Sequence, residues 1–273
     1  DVVVLMGTGP MFASFLRPPT IFYVGGGDLT AYPFPFRQWR RYGDWLSKLA
    51  AIVRGMWQAR GIRRVHTIWS QPFAPFVAAA RRLGVEKLVA QAYFPLMLDH
   101  QTFSPEDSNR SSPAMREMTG RLKEKFEFIV FHPSRIVDDR SPHHLEIGEW
   151  KNNSLLLRAF HRFLTENPGC RAGLVVVDKS RPQGTYTADE AKFRELIASL
   201  GLTEHVEWLV PPQHGGFPRW ELAELYRSAN VVADEFGVGW FGSIVLEGLS
   251  SGRPVLCHVD ERVMAQLYPS HPI

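Results

Sequence analysis

The residues from Asp234 to Pro254 have the types and spacing of a site that binds phosphate and hydroxyl groups. They lead from an apolar strand, through a turn with glycines at 237, 239 and 242, into a short helix that carries Glu247. A helix start offers unpaired N–H groups and a positive dipole end, which attract phosphate, and glycines let a ligand approach the backbone. A buried acid such as Glu247 accepts hydrogen bonds from sugar hydroxyls. The pattern favours a nucleotide or nucleotide-sugar site over an ordinary strand-to-helix turn with a solvent-facing Glu.

Two cations earlier in the chain suit the same chemistry. Arg135 follows a predicted strand over 126–131, and Lys151 precedes the next predicted helix. Ligands of doubly wound sheets gather at the carboxyl ends of the strands, so both cations could face the crevice at the Gly242 helix start. There they would neutralise charge developing on a diphosphate leaving group. The alternative, a pair of solvated loop charges, stays open.

The aperiodic segment 132–151 contains histidines and aspartates that suggest a metal site. It lacks the tight ligand spacing, on a helix or between cysteines, that zinc sites usually show. We therefore favour solvated histidines, and the motifs require neither a metal ion nor an organic cofactor. The residues concerned are His132, Asp138, Asp139, His143 and His144.

Two glycine clusters, at 7–9 and 25–27, each follow a predicted strand. Neither is a complete G-x-G-x-x-G fingerprint that leads into a helix, so we do not predict a dinucleotide site. Asp28 directly follows the second cluster, and we expect it to line the crevice.

The segment Arg37–Arg64 is rich in arginine and also contains Trp39, Trp45 and Trp57. Basic groups near headgroups and tryptophans at the interface suit a surface that rests on anionic lipid. We favour the alternative, a solvated helix whose tryptophans pack on the sheet, because arginines on the outer face of a helix are common.

Short apolar strands alternate with helical patterns along most of the chain. This alternation predicts βαβ units and an α/β fold with parallel sheets covered on both faces. A change to Ser, Pro, Asp and Asn over 103–113 places a domain boundary near residues 105–125. The predicted strands are 2–6, 21–24, 65–69, 87–92, 126–131, 172–177, 206–209, 230–233 and 255–257, and the predicted helices are 38–60, 76–83, 115–125, 153–166, 188–200 and 220–228.

Composition and charge are those of an ordinary globular protein. With 273 residues, 45% hydrophobic and 22% charged, the chain is long enough to bury real cores, and a net charge of +3 does not point to nucleic acid. Two cysteines, no secretory signal and no bilayer-spanning apolar run indicate a cytoplasmic location, with a peripheral position at the inner membrane surface as an open alternative. Because the chain lacks an initiating Met and opens on a strand, we expect a fragment of a longer protein.

The order of the segments from Phe126 to the end resembles the donor-binding domain of GT-B glycosyltransferases, specifically the large retaining family 4 group. The N-terminal half is a weaker match, in which DVVVLMGTG, FYVGGGDLTAYPF and YFPLMLDHQTF resemble later parts of the acceptor domain. The segments that carry the stronger resemblance are FHPSRI, KNNSLLLRAFHRFL, AGLVVVD, LGLTEHVEWL, ELAELYRSANVVAD and FGSIVLEGLSSGRPVL.

The resemblance implies two Rossmann-like, doubly wound parallel-sheet domains. Residues 1–114 would form an incomplete acceptor-side domain with its linker, and residues 115–273 a donor-binding domain truncated before its terminal crossing helix. Carried over by position, Arg135 and Lys151 would bind the donor diphosphate and stabilise the leaving group. The amides around Gly242, Ser243 and Ile244 would add to that site, and Glu247 would hold the ribose hydroxyls.

Two positions depart from the family pattern. Gly239 stands eight positions before Glu247, where the family has a glutamate that contacts the transferred sugar, and Gly25 stands where a histidine is frequent. The implied activity is retaining transfer of a sugar from a nucleoside diphosphate sugar to a hydroxyl acceptor on a glycan, polysaccharide or lipid. Two alternatives stay open: a nucleotide-sugar epimerase or isomerase on the same plan, and a non-catalytic nucleotide-sugar-binding module.

Overall fold

A computed structural model describes residues 1–36, 44–92, 96–106, 111–146, 148–179, 187–212, 216–240 and 242–270. The chain forms two compact units. Unit 1 consists of Asp1–Pro95, Ser141–Gly148 and Glu261–Ile273, and unit 2 of Leu96–Arg140 and Glu149–Asp260.

Strands and helices alternate along the chain, as the sequence predicts. The 3-10 helices Gly9–Phe15 and Thr203–His205 lie between them in the described part of the chain. The strands are β1 (Val3–Leu5), β2 (Thr20–Tyr23), β3 (Thr67–Ser70), β4 (Leu88–Ala90), β5 (Phe128–His132), β6 (Ala172–Val177), β7 (Val206–Leu209), β8 (Val231–Ala233) and β9 (Val255–Leu256). The helices are α1 (Gly27–Thr30), α2 (Trp45–Arg64), α3 (Ala74–Arg82), α4 (Pro113–Lys125), α5 (Pro142–Glu146), α6 (Asn153–Glu166), α7 (Ala188–Ser199), α8 (Arg219–Ser228), α9 (Ser243–Ser250) and α10 (Glu261–Leu267).

Helix starts coincide with side chains that cap backbone N–H groups. At α7 the Thr187 hydroxyl accepts from the Glu190 N–H while the Glu190 carboxylate accepts from the Thr187 N–H, a reciprocal capping box. At α4 the Ser112 hydroxyl accepts from the Met115 N–H, and Pro113 follows at a position where its missing N–H costs nothing. These local signals explain why the helices of unit 2 begin near their predicted starts.

Each unit is built on one parallel sheet, which confirms the predicted α/β class. Among the described residues, unit 1 has four strands in the order β1-β2-β3-β4, and unit 2 has five in the order β7-β6-β5-β8-β9. In unit 2 the chain winds outward from β5 to β7 and then returns to the other side of β5 with β8. Ligands of such sheets bind at the carboxyl ends of the strands on either side of this reversal, here β5 and β8.

The core of unit 2 lies on both faces of its sheet. On one face the Tyr226 ring packs edge-to-face on Phe131 and Phe103, with ring centroids 5.3 and 5.6 Å apart. On the other face the fully buried Leu157 and Leu174 belong to a second apolar cluster. All six residues of β6 are buried, which is why this strand reads as a continuous apolar run rather than an alternating one.

Most elements differ from the sequence predictions by a few residues at their ends, and three differences are larger or change the type of structure. The strand predicted from residue 126 begins at Phe128, because Phe126 is the C-cap residue of α4 and its N–H donates back to the Leu122 carbonyl. The segment expected to be one long loop contains α5. The helix predicted over 38–60 covers Trp45–Arg64, while positions 38–43 of that prediction lie outside the described residues.

The basic helix α2 presents apolar side chains to solvent. Trp45 is 69% exposed, so the prediction that the tryptophans pack on the sheet is wrong for this residue. Trp57 stacks on Phe15, with ring centroids 6.3 Å apart, and Trp39 lies outside the described residues. Within the described parts of the chain, no helix, α2 included, combines the length and the apolar character needed to cross a membrane.

Candidate functional site

The predicted anion-binding helix start is present in unit 2 as the first turn of α9. Gly242 is its N-cap residue, and no described side chain caps the helix. Apart from the chain directly next to Gly242, no described atom lies within 4 Å of the point where a Cβ on this residue would stand, and the adjacent Ser243 is exposed. The backbone N–H groups of this turn can therefore be approached by an anionic ligand.

The two other glycines of the turn, Gly237 and Gly239, are needed for different structural reasons. A Cβ on Gly237 would stand 2.5 Å from the Trp150 carbonyl oxygen. Gly239 has a φ of +87°, and a Cβ there would stand 2.7 Å from the Asp260 Cβ. A side chain at 239 thus needs both a rarely populated backbone conformation and a shift of Asp260. In this loop conformation glycine is the residue that fits at position 239.

The loop contains a different acid, Glu235, which sequence reasoning did not single out. Its buried carboxylate accepts hydrogen bonds from the N–H groups of Gly237, Val238 and Gly239, at 2.9, 2.6 and 3.2 Å. Burial raises its pKa, and the hydrogen bonds from the Val238 and Gly237 amides oppose that rise. Glu235 therefore serves as an internal hydrogen-bond acceptor that holds the glycine turn in shape.

Glu247 is buried one turn into α9, so the alternative of a solvent-facing Glu is wrong. Its Oε2 accepts a hydrogen bond from the Tyr226 hydroxyl at 2.9 Å, and its Oε1 lies 3.4 Å from Nη2 of Arg219. Burial raises the pKa of Glu247, while the Tyr226 hydroxyl and the Arg219 charge lower it. Each carboxylate oxygen can accept more than one hydrogen bond, so capacity for a ligand hydroxyl remains.

Arg135 and Lys151 lie in the loops that follow β5 and precede α6. The Arg135 side chain is 58% exposed, with a nitrogen 3.9 Å from the Glu149 carboxylate. Lys151 is half-buried; its N–H donates to the Val137 carbonyl and its own carbonyl accepts from the Phe236 N–H, both at 2.8 Å. Lys151 thereby joins the loop after β5 to the loop after β8.

Two further charged residues, Lys179 after β6 and Asp234 after β8, share this end of the sheet. The pKa of Lys179 is lowered to about 8, first by burial and then by the charges of Arg135 and Lys151, against the opposing effect of Glu247 and Asp234. The pKa of the buried Asp234 is raised by burial and lowered by Lys151. The structure thus brings Arg135, Lys151 and Glu247 into one electrostatic cluster with one further base and one further acid. The sequence analysis did not predict that these two residues, Lys179 and Asp234, belong to the site.

The structure corrects the prediction of solvated histidines at His132. This residue ends β5 and is completely buried, and its Nδ1 lies 2.8 Å from the Ala233 carbonyl oxygen. Asp138 has a structural contact as well, because its carboxylate accepts from the Ser154 N–H at the start of α6. Among the described residues, no three His, Cys, Asp or Glu side chains group in a way that could hold a metal ion.

Asp28 in unit 1 has its carboxylate engaged by the loop in which it lies. It is buried and accepts from the N–H groups of Gly25, Gly26, Leu29 and Gly7, at 2.8 to 3.2 Å. The glycine cluster therefore folds around Asp28, which serves the structure of this loop.

The sheet of unit 2 and its cluster of charges define a class of protein. A parallel sheet in this strand order, with cations and a glycine-bounded helix start at its reversal, is the architecture of Rossmann-like nucleotide-binding domains.

Comparison with known proteins narrows this class to relatives of glycosyltransferases. The chain is 34% identical over 237 residues to a D-inositol 3-phosphate glycosyltransferase of Nocardia farcinica, covering 78% of this chain and 49% of the relative. It is 37% identical over 105 residues to the enzyme of that name from Streptosporangium roseum, covering 38% of this chain and 23% of the relative. The chain thus spans about half, or less, of the length of these curated relatives, and no protein-family model matches it.

Solved structures show the same fold. A sucrose-phosphate synthase from Thermosynechococcus elongatus aligns with a TM-score of 0.55 at 15% identity, covering 94% of this chain and 55% of that protein. HepE from Anabaena, solved with UDP-glucose, aligns with a TM-score of 0.51 at 17% identity, covering 94% and 59%. Together with the sequence relatives, these structures confirm the resemblance to glycosyltransferases of the GT-B fold.

Proposed function

We propose that the protein is a retaining glycosyltransferase that moves a sugar from a nucleoside diphosphate sugar to a hydroxyl acceptor. The observation that carries this proposal is the cluster of Arg135, Lys151, Lys179 and Glu247 at the carboxyl ends of the strands in unit 2. Cations beside an open helix start suit a diphosphate, and a buried carboxylate one turn further suits a ribose.

The chemical role of the cations follows from where charge develops. When the bond between the anomeric carbon and the diphosphate breaks, negative charge grows on the leaving phosphate oxygen. Arg135, Lys151 and the first-turn N–H groups of α9 would stabilise that charge without reorganising. We propose that these groups supply the needed charge and that no organic cofactor takes part. Turnover that survives dialysis against EDTA would support metal-independent transfer, and loss restored by a divalent ion would contradict it.

The comparisons suggest which substrates to test first. HepE was solved with UDP-glucose, and the curated relatives carry the name D-inositol 3-phosphate glycosyltransferase. We therefore propose a nucleotide-sugar donor, with UDP-sugars first, and a hydroxyl acceptor on a polyol phosphate, a glycan or a lipid. Because position 239 is glycine, contacts to the transferred sugar must come from other residues.

The same cluster permits one rival activity and one non-catalytic function. An epimerase or isomerase needs an acid and a base at the sugar, and the buried Asp234 and the exposed Lys179 are a pair of that kind. Incubation of the protein with radiolabelled nucleotide-sugars and a panel of acceptors separates the three functions. Label on the acceptor supports transfer, an epimerised free donor supports the rival, and binding without either product supports a binding module.

We propose peripheral membrane contact through α2 as an additional property. Its basic composition and its exposed Trp45, Leu46 and Met56 suit an anionic lipid surface. Sedimentation with anionic but not with neutral vesicles would support this contact, and no sedimentation with either would contradict it.

A further inference from the structure

We propose that His132 and Asn153 form a positioning pair that holds Arg135 and Lys151 in one frame for the diphosphate. The inference rests on the proposed function of these two cations. Neither member of the pair carries a charge or belongs to the predicted site, and both are completely buried behind it.

Asn153 is the residue that fastens the loop after β5. It is the first residue of α6, and its Oδ1 accepts a hydrogen bond from the Val137 N–H at 2.8 Å. Its Nδ2 donates to the Arg135 carbonyl at 3.2 Å and to Nε2 of His132 at 2.9 Å. One amide thus satisfies a backbone donor and a backbone acceptor in an irregular loop that has no ladder of its own.

His132 fixes the direction of that amide. Its Nδ1 lies 2.8 Å from the Ala233 carbonyl oxygen, which can only accept, so Nδ1 carries the hydrogen. In the neutral ring Nε2 then has a lone pair, and this lone pair accepts from Asn153 Nδ2. Burial lowers the pKa of His132 to about 4, which keeps the ring neutral at ordinary pH. A protonated ring would turn an N–H toward the amide N–H and break the contact.

The pair extends to Lys151 and to the far side of the sheet reversal. Asn153 accepts from the Val137 N–H, and the carbonyl of the same Val137 accepts from the Lys151 N–H. The Lys151 carbonyl in turn accepts from the Phe236 N–H. His132 and Ala233 are the last residues of β5 and β8, so their hydrogen bond joins the two strands at the reversal. Backbone at Arg135, Lys151 and the glycine turn therefore belongs to one continuous hydrogen-bonded network.

This placement matters because the side chains of the two cations are not locked by packing. Arg135 is 58% exposed and Lys151 is half-buried, so their charges are aimed mainly by the backbone from which they extend. When supporting residues are lost, the charged groups of a site remain but are no longer held in the productive geometry. Their electrostatic stabilisation of the ligand then falls.

The first test removes the amide. We expect Asn153→Ala to weaken binding of a nucleoside diphosphate, the best of UDP, GDP and ADP, by about tenfold while binding of the parent nucleoside stays unchanged. Asn167→Ala is the matched control at the other end of α6, where Asn167 Nδ2 donates to the Phe163 carbonyl. We expect this control to lower thermal stability without changing the diphosphate-to-nucleoside ratio. Equal losses for diphosphate and nucleoside in Asn153→Ala would overturn the inference.

The second test separates the two bonds of the ring and does not depend on Asn153→Ala being well folded. A Gln at 132 places its amide near Nε2 and can still accept from Asn153, whereas an Asn at 132 places its amide near Nδ1 and keeps only the contact to Ala233. We expect His132→Gln to retain diphosphate affinity within about threefold and His132→Asn to lose about tenfold. The reverse order would overturn the inference.

A third measurement distinguishes this inference from the proposed function. In a double-mutant cycle, Asn153→Ala and Arg135→Ala should be non-additive for diphosphate binding, because the second change removes the group that the first misplaces. Additive losses would overturn the positioning role even if the protein transfers sugar. Absence of transfer by the unmodified protein would instead contradict the proposed function, whatever the cycle shows.

Discussion

At the scale of single residues, Gly239 shows how backbone conformation limits what a site can contain. The resemblance leads to an acid at this position, and the positive φ and the nearby Asp260 make glycine the residue that fits. The loop instead contains Glu235, whose carboxylate accepts hydrogen bonds from three backbone N–H groups. In the proposed transfer reaction, the sugar would therefore be held by residues other than the one at position 239.

Gly239→Glu should consequently destabilise the protein rather than improve it. We expect a loss of about 1–3 kcal/mol in the free energy of unfolding, from the strained backbone and the contact with Asp260. Gly169→Ala is the control, because no described atom lies within 4 Å of its Cβ position, and it should change stability by less than about 0.5 kcal/mol. Urea denaturation measures both. An unchanged midpoint for Gly239→Glu would contradict this account of the turn.

Glu247→Ala should weaken nucleoside diphosphate binding by about 1–3 kcal/mol, the cost of an unmade hydrogen bond to a buried charged group. Glu247→Gln keeps the shape and the contact to Tyr226, so it should lose less affinity while remaining as well folded. Calorimetric titration gives both values. Glu207→Ala, which removes an exposed partner of Lys125, should bind normally. Wild-type affinity in a folded Glu247→Ala protein would rule out the ribose assignment.

The sequence predicts the surroundings of a residue correctly where the residues next to it in the chain indicate burial or a turn. Glu247 lies among apolar residues at helical spacing, which indicated burial, and the glycines before it indicated a turn. Lys179 and Asp234 lie just after two different strands, and their proximity depends on the strand order β7-β6-β5-β8-β9, which no local pattern encodes. His132 looked solvated because its segment is aperiodic, whereas its burial results from its place as the last residue of a central strand.

At the scale of elements, the reversal between β5 and β8 is held by side chains as well as by the strand ladder. His132 bonds the end of β8, and Asn230, at the other end of that strand, accepts from the Ile129 N–H through its Oδ1 at 2.8 Å. Strand and helix positions were predictable because the spacing of apolar residues and helix capping are local properties of the sequence. The irregular segments between them were not, since their hydrogen bonds reach residues far away in sequence.

The buried His132 should make stability depend on pH in a defined direction. Its pKa is about 4 in the folded protein and near 6.5 in an unfolded chain, since burial and the charges of Lys151 and Lys179 disfavour the proton. Between these values the unfolded chain binds a proton that the folded protein does not. The free energy of unfolding should therefore fall as pH drops from 6.5 to 4, by about 3 kcal/mol from this group.

His132→Gln isolates this contribution, because buried acids such as Asp234 and Glu235, whose pKa values are raised, contribute in the opposite direction. The stability difference between the unmodified protein and the variant should shrink as the pH falls through that window. Denaturant midpoints at several pH values measure it. A difference that is constant with pH would show that His132 titrates normally.

At the scale of the whole molecule, the chain has two α/β units, each with a parallel sheet, its fold is that of GT-B glycosyltransferases, and its sequence relatives carry the name glycosyltransferase. The proposed chemistry belongs to the sheet of unit 2. Arg171 and Lys125 lie at the amino ends of β6 and β5, whereas Arg135, Lys151 and Lys179 follow β5 and β6 or precede α6. Positive charge is therefore present at both ends of the sheet and does not by itself indicate a diphosphate site. The position of Arg135, Lys151 and Lys179 at the carboxyl ends of the strands is what favours one.

The central claim is that Arg135 and Lys151 stabilise the diphosphate leaving group. The direct measurement is turnover of the donor sugar by Arg135→Ala and Lys151→Ala, together with their affinities for nucleoside diphosphate and nucleoside. Arg171→Ala removes a 63% exposed cation from the opposite end of the sheet and serves as the control. We predict that each site variant loses about 100-fold in turnover, binds the nucleoside normally and differs clearly from the control. Undiminished turnover, or equal loss of affinity for nucleoside diphosphate and nucleoside, would contradict the claim.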